Sequence, residues 1–190
     1  MVAGTSEPRH GEPTLSLAEW LVLCLVCEEP RHGFAITRLL DSDGSLGRIW
    51  RVPKPVVYRS VQRLEQLGLV RSAELQPSHQ GPAKSPIDAT ASGRRLASAW
   101  LDRPAGHNRD VRSELLAKLA LIDRAGGDPA RLIDAQRHQL GPVARALQER
   151  LASASGFERT LVLWRCETVS ATLRFLDALG EHHLAQTRTR

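Results

Sequence analysis

Six consecutive apolar residues, Leu21-Val22-Leu23-Cys24-Leu25-Val26, follow a helix start written as Ser16-Leu17-Ala18-Glu19. A Ser N-cap with a Glu three residues on satisfies exposed backbone donors at both positions, so the segment enters as a helix. Leu15 before the cap and Trp20 at the fourth helical position supply the accompanying hydrophobic staple. From Trp20 to Cys27 nearly every side of this helix is apolar, and a helix without a polar face has to lie inside a core. The run is far short of the ~20 residues a membrane span needs, so no transmembrane segment is expected.

The neighbouring segments must therefore wrap this helix. Pro30 ends it, and His32-Gly33-Phe34-Ala35-Ile36 opens a second short helix that runs to about Leu40, where Asp41-Ser42-Asp43-Gly44 forms a turn. A third helix begins near Pro53 or Pro55, where a missing N–H costs nothing, and ends at Gly68, suited to a left-handed C′ position. Within it Val57, Val61 and Leu64 recur at helical spacing as the buried stripe, while Arg59, Gln62, Arg63 and Gln66 share the other face. Residues 69–75 alternate as a strand, 76–84 form a loop, and 85–90 return as a second strand that Pro86 confines to an edge or a bulge. Thr90 or Ser92 caps a fourth helix through Leu101, and the helix-breaking stretch Arg103-Pro104-Ala105-Gly106-His107-Asn108 follows.

Beyond it, residues 111–122, 129–152 and 157–182 are helical by period, with Gly141-Pro142 expected to kink or split the middle one. The last helix carries Phe157, Leu161, Trp164, Thr168, Ala171 and Phe175 along one stripe, with Val162, Val169, Leu173 and Leu176 off it. That apolar surface is too broad for a three-helix monomer to hide, and a partner chain is its natural cover. The expected division is a tail over 1–13, a first domain over 14–102, a linker over 103–108, a helical dimerisation domain over 109–182 and a tail over 183–190. The class is mainly α, and three helices followed by a two-stranded hairpin make the first domain a winged helix-turn-helix.

With 190 residues, 42% hydrophobic and 25% charged, the chain has an ordinary globular composition, which excludes a disordered or collagen-like protein. Residues 1–13 are polar and lack an apolar core, so they do not read as a secretory signal. Cys24, Cys27 and Cys166 cannot close a disulfide framework, and a cytoplasmic product is expected. The net charge is +5, carried by 23 Arg and 3 Lys against 21 acidic residues. Its distribution is uneven: residues 54–95 hold seven basic against three acidic side chains, residues 111–182 ten against nine. The first domain is thus the candidate for a polyanionic partner.

An Arg/Gln/Lys face on a helix of this motif suits the major groove, so Lys54, Arg59, Gln62 and Arg63 are candidate contacts to base edges or phosphates. Arg71, His79 and Lys84 on the wing are candidates for backbone phosphates or the minor groove. The competing reading is a solvated polar face on a winged helix used for protein interaction. Cys24-Leu25-Val26-Cys27 spells C-x-x-C, but in an apolar helix without a second pair it reads as two small buried side chains; a metal-responsive regulator using Cys24, Cys27 and His32 is the third alternative. Trp20, Trp50, Trp100 and Trp164 suit packing, with an effector pocket involving Trp164 or Trp20 as the sharper reading. With no phosphate loop, nucleophile elbow or paired carboxylates in frame, an enzyme is not expected, nor is any cofactor or metal.

The string Pro55-Val56-Val57-Tyr58-Arg59-Ser60-Val61-Gln62-Arg63-Leu64-Glu65-Gln66-Leu67-Gly68-Leu69-Val70 closely resembles the recognition-helix signature of PadR-family transcriptional regulators. Upstream, Leu23 to Val26 followed by His32-Gly33-Phe34-Ala35-Ile36 is similar to that family's first helix and its His-Gly-Tyr/Phe turn. Downstream, Thr90-Ala91-Ser92-Gly93-Arg94-Arg95-Leu96 is similar to the threonine and glycine after the wing, and Glu114-Leu115-Leu116-Ala117-Lys118-Leu119 to the start of the C-terminal domain. The resemblance implies a homodimeric, usually repressing DNA-binding protein whose C-terminal helices make the dimer, here through Leu161, Trp164, Thr168 and Phe175. It implies a pseudo-palindromic operator and, as in some members, a flat aromatic effector between subunits. It matches Tyr58 and Arg59 to the family's aromatic and basic pair and Lys84 to a wing-strand basic residue; Tyr58 also has a packing role open to it, against the first helix. Ser85-Pro86-Ile87 departs from the family's Tyr-rich strand.

Overall fold

The computed structural model describes residues 13–72 and 85–188. Packing divides them into two compact units, one comprising the chain up to Leu101 together with Arg112–Gly127, the other Asp102–Val111 and Asp128 onward. Residues 112–127, read from the sequence as the start of the C-terminal domain, thus pack within the first unit.

In the first unit α1 (Leu17–Glu28) starts with the expected capping box. The Ser16 hydroxyl accepts from the Glu19 N–H at 3.3 Å, and the Glu19 carboxylate accepts from the Ser16 N–H at 2.6 Å. Leu21 to Val26 are all buried, as an apolar helix requires, and α1 packs against α3, β2 and α5. Helix α2 spans Gly33–Leu40 and α3 spans Lys54–Gln66, followed by Gly68 at φ 66°. The wing pairs β1 (Val70–Ser72) antiparallel to β2 (Ile87–Ala89), Arg71 opposite Asp88. Residues 73–84, including part of the expected first strand and its loop, lie outside the described residues. Pro86 precedes β2 rather than sitting in it, so its missing N–H interrupts no ladder bond. Nor is Ile87 at a free edge: besides facing Ser72 it exchanges backbone hydrogen bonds with Arg31, at 2.8 and 3.0 Å.

Thr90 caps α4 (Ala91–Asp102), its hydroxyl accepting from the Gly93 N–H at 3.1 Å and donating to the Gly68 carbonyl at 2.8 Å. A Cβ on Gly93 would lie 2.0 Å from the Leu69 carbonyl oxygen, so only glycine lets α4 come this close to the chain entering the wing. Although alanine is the better helix former by ~1 kcal/mol, Gly93→Ala should destabilise the protein by about 1–3 kcal/mol, read as a lower urea midpoint at unchanged slope.

After a 3-10 turn (Asn108–Asp110) and a π turn (Val111–Leu115), α5 (Leu116–Arg124) adds a buried charge to this core. Lys118 has no exposed surface; its ammonium donates to Glu114 at 2.6 Å and lies 4.4 Å from the centre of the Trp100 ring. Trp100 in turn stacks on Trp20, centroids 4.9 Å apart and planes at 5°. A buried ammonium is tolerable only with such partners, a carboxylate and an aromatic face. At the other end of α5 the Arg124 guanidinium grips the Glu28 carboxylate with two bonds, at 2.8 and 2.9 Å.

The second unit is a helical hairpin of α6 (Ala130–Ser153) and α7 (Gly156–Arg188). Helix α6 continues through Pro142 rather than splitting there, even though proline removes one intrahelical bond. Helix α7 also continues past residue 182, where a tail was expected to begin. The stretch 103–108 is fastened rather than loose: Ala105 is fully buried, its N–H donates to Gln136 at 2.7 Å, and the Gln139 amide donates to the Ala105 and Gly106 carbonyls at 3.1 and 3.0 Å. Among the described residues no helix is long and apolar enough to cross a membrane.

Candidate nucleic-acid interface

Helix α3 divides as its periodicity requires. Val57, Ser60, Val61 and Leu64 are buried, and Lys54, Tyr58, Arg59, Gln62, Arg63 and Gln66 are exposed. The apolar side holds the helix on the core, which fixes the polar side outward without help from any partner. Among the described residues no acidic side chain pairs with Lys54, Arg59 or Arg63, so their charge is free to meet an outside anion. Glu65, the one acid on the helix, is occupied instead, accepting a hydrogen bond from the Ser72 hydroxyl at the end of β1. The arrangement presents three cations, two amides and an aromatic ring along one helical face, a set that can bind phosphates and base edges.

Tyr58 is 42% exposed, and the outer end of its ring lies at Gly33, the first residue of α2. The turn before the helix adds exposed Arg48 and Arg51, residues that the sequence reading did not single out, and Trp50, which it assigned to packing and which is exposed; Arg51 is spanned to Asp41 at 3.3 Å. On the wing, Arg71 is 72% exposed and only loosely held, 3.5 Å from an Asp88 carboxylate that Arg94 contacts more closely at 2.7 Å. His79 and Lys84 lie outside the described residues.

The C-x-x-C residues do not form a reactive pair. Burial pushes the Cys24 thiol far above its ordinary value and raises Cys27 to about 11, the nearby Arg94 opposing the second shift. Both therefore stay protonated near neutral pH, whereas a metal ligand or nucleophile must be a thiolate. Among the described residues no three His, Cys, Asp or Glu side chains gather to hold a metal, so Cys24, Cys27 and His32 are not brought together as one.

In the second unit, Val162, Cys166, Val169, Thr172 and Leu176 are the buried positions among the described side chains of α7. At 3.6 residues per turn the stripe that includes Phe157, Trp164 and Phe175 faces nearly the opposite way. It is open: Phe157 is 80% exposed, Trp164 67% and Phe175 40%, with Leu161 and Thr168 half-buried. Trp20, the other tryptophan considered for an effector, belongs to the first unit and has one ring face covered by Trp100.

Residues 22–99 match the model of the transcriptional regulator PadR-like family. Among solved structures, the chain is similar to Bacillus subtilis PadR in complex with operator DNA, at 18% identity over 88% of this chain and 99% of that one, with a TM-score of 0.45. It is similar to the same Bacillus subtilis protein in complex with p-coumaric acid, at 17% identity over 88% and 99% with a TM-score of 0.42. The Vibrio cholerae virulence activator AphA is 22% identical over 92% of this chain and 99% of its own, with a TM-score of 0.37. Comparison with curated proteins returns no match.

Proposed function

We propose, from the match of residues 22–99 to the PadR-like family of transcriptional regulators, that this chain is a member of that family and a homodimeric, ligand-responsive repressor that reads a pseudo-palindromic operator with α3. The observation that carries the reading is the exposed face of Lys54, Tyr58, Arg59, Gln62 and Arg63, whose cations have no acidic partner among the described residues. A module that binds another protein needs no such face. Arg71 supports it from the wing as a phosphate contact, and Lys84 and His79 are assigned there by sequence alone. The exposed stripe of α7 with Leu161, Trp164, Thr168 and Phe175 is the dimer surface, and Trp164 offers a flat face to a small aromatic effector. Trp20, stacked on Trp100, keeps a packing role instead. Such a repressor works in the cytoplasm, switching as an effector prefers one separation of the two recognition helices over another.

The test is substitution of the face itself. Arg59→Ala and Arg63→Ala remove exposed charge and should leave the melting temperature nearly unchanged. If either guanidinium reads a base, its loss should weaken binding by ~1–3 kcal/mol per bidentate contact and relax discrimination at one position per half-site, measured by fluorescence anisotropy on a duplex selected from a random pool. Unchanged affinity in both variants would remove α3 as the reading surface.

A further inference from the structure

On the reading above that α3 faces DNA, we propose that Gly33 is a positioning residue: by lacking a side chain it seats the outer end of the Tyr58 ring against the start of α2 and holds that ring at the DNA-facing surface. A Cβ at Gly33 would lie 3.0 Å from Cε1 of Tyr58, 3.4 Å from Cζ and 3.5 Å from the hydroxyl oxygen. These three atoms are the far end of the side chain, the part whose position is otherwise least constrained by α3.

Backbone freedom does not explain the glycine. Its φ is not positive, and it is the first residue of a regular helix, a setting in which alanine is the better helix former. What glycine alone supplies here is room for the ring. The seat is itself held in place, because the Thr37 hydroxyl donates to the Gly33 carbonyl at 2.7 Å. With one end resting on this seat and 42% of the residue still exposed, Tyr58 meets a ligand already ordered. An ordered side chain loses less rotamer freedom on binding, and its hydroxyl arrives at a defined point. A methyl at Gly33 has to displace the ring from this seat by a few tenths of an ångström.

Packing and positioning part company in a double-mutant cycle. Gly33→Ala should leave the melting temperature equal or raised, yet weaken anisotropy-measured binding to the tightest duplex the unmodified protein selects from a random pool by about tenfold. In the Tyr58→Ala background the same Gly33→Ala change should alter binding less than about twofold, since there is no ring to displace. Equal losses in both backgrounds, or no loss with Tyr58 present, would overturn the seat while the Arg59 and Arg63 variants still report on the DNA reading. Failure of the unmodified protein to select any duplex would overturn both. Should Gly33→Ala fail to fold, restored folding on adding Tyr58→Ala would support the contact, and failure in both backgrounds would overturn it.

Discussion

Raising the salt from 50 to 200 mM should weaken binding of the selected duplex by ~10³–10⁵-fold, the loss expected for ~6–10 neutralised phosphates. The estimate comes from the side chains on the proposed surface. Lys54, Arg59 and Arg63 have no acidic partner among the described residues, and Arg71 is 72% exposed and only 3.5 Å-loose on Asp88. Those are four cations per protomer, so about eight in a dimer, and each phosphate neutralised releases condensed counterions that salt makes costlier to free. The slope of log affinity against log salt should then be about −7. Random duplex should show nearly the same slope at lower affinity, because phosphate contacts carry no sequence while base-edge contacts such as that of Gln62 add the difference. Arg71→Ala should shallow the slope by about 2 per dimer without changing base preference. A flat salt dependence, or equal affinity for selected and random duplex, would overturn the assignment of this face to specific DNA binding.

The features legible in the sequence were those whose cause is local. The capping box needs only Ser16 and Glu19 three residues apart, and both bonds are present. Gly68 after α3 and the buried trio Val57, Val61 and Leu64 follow from helix geometry alone, and the polar face of α3 follows from the same periodicity. What escaped was set by tertiary partners. Lys118 reads as a surface cation by type, and it is buried because Glu114 and the Trp100 ring meet its ammonium inside the core. The flanking of Ile87 by Arg31 depends on a residue 56 positions earlier in the chain, beyond the reach of a strand pattern. The Gly33–Tyr58 approach is equally invisible to periodicity, since His32-Gly33-Phe34 reads only as a helix start. Along α7 the pattern separated two apolar sets; that Val162, Val169 and Leu176 are the buried set depends on α6 packing there.

That last division gives the second large effect. Trp164→Glu should convert the protein to a monomer in sedimentation or light scattering and lower operator affinity by ~10²–10⁴-fold, although Trp164 belongs to no DNA-facing element. The substitution adds charge at a residue 67% exposed, and it leaves the buried set Val162, Cys166, Val169 and Leu176 untouched, so the helical hairpin should keep its far-ultraviolet spectrum. Placed instead at the centre of a dimer interface, two glutamates would lose hydration and face an apolar stripe formed with Phe157 and Phe175, 80% and 40% exposed in the single chain. DNA affinity falls with them because two half-sites about one helical turn apart are gripped together only by a linked pair of recognition helices. A lone protomer forfeits the effective concentration that makes the second contact nearly intramolecular. The monomer should nevertheless keep the weak, salt-dependent binding of one recognition helix, with a slope about half that of the dimer, which separates loss of pairing from loss of fold. A Trp164→Glu protein that stays dimeric and binds with unchanged affinity, or an unmodified chain that is already monomeric, would place the interface elsewhere than on this face of α7.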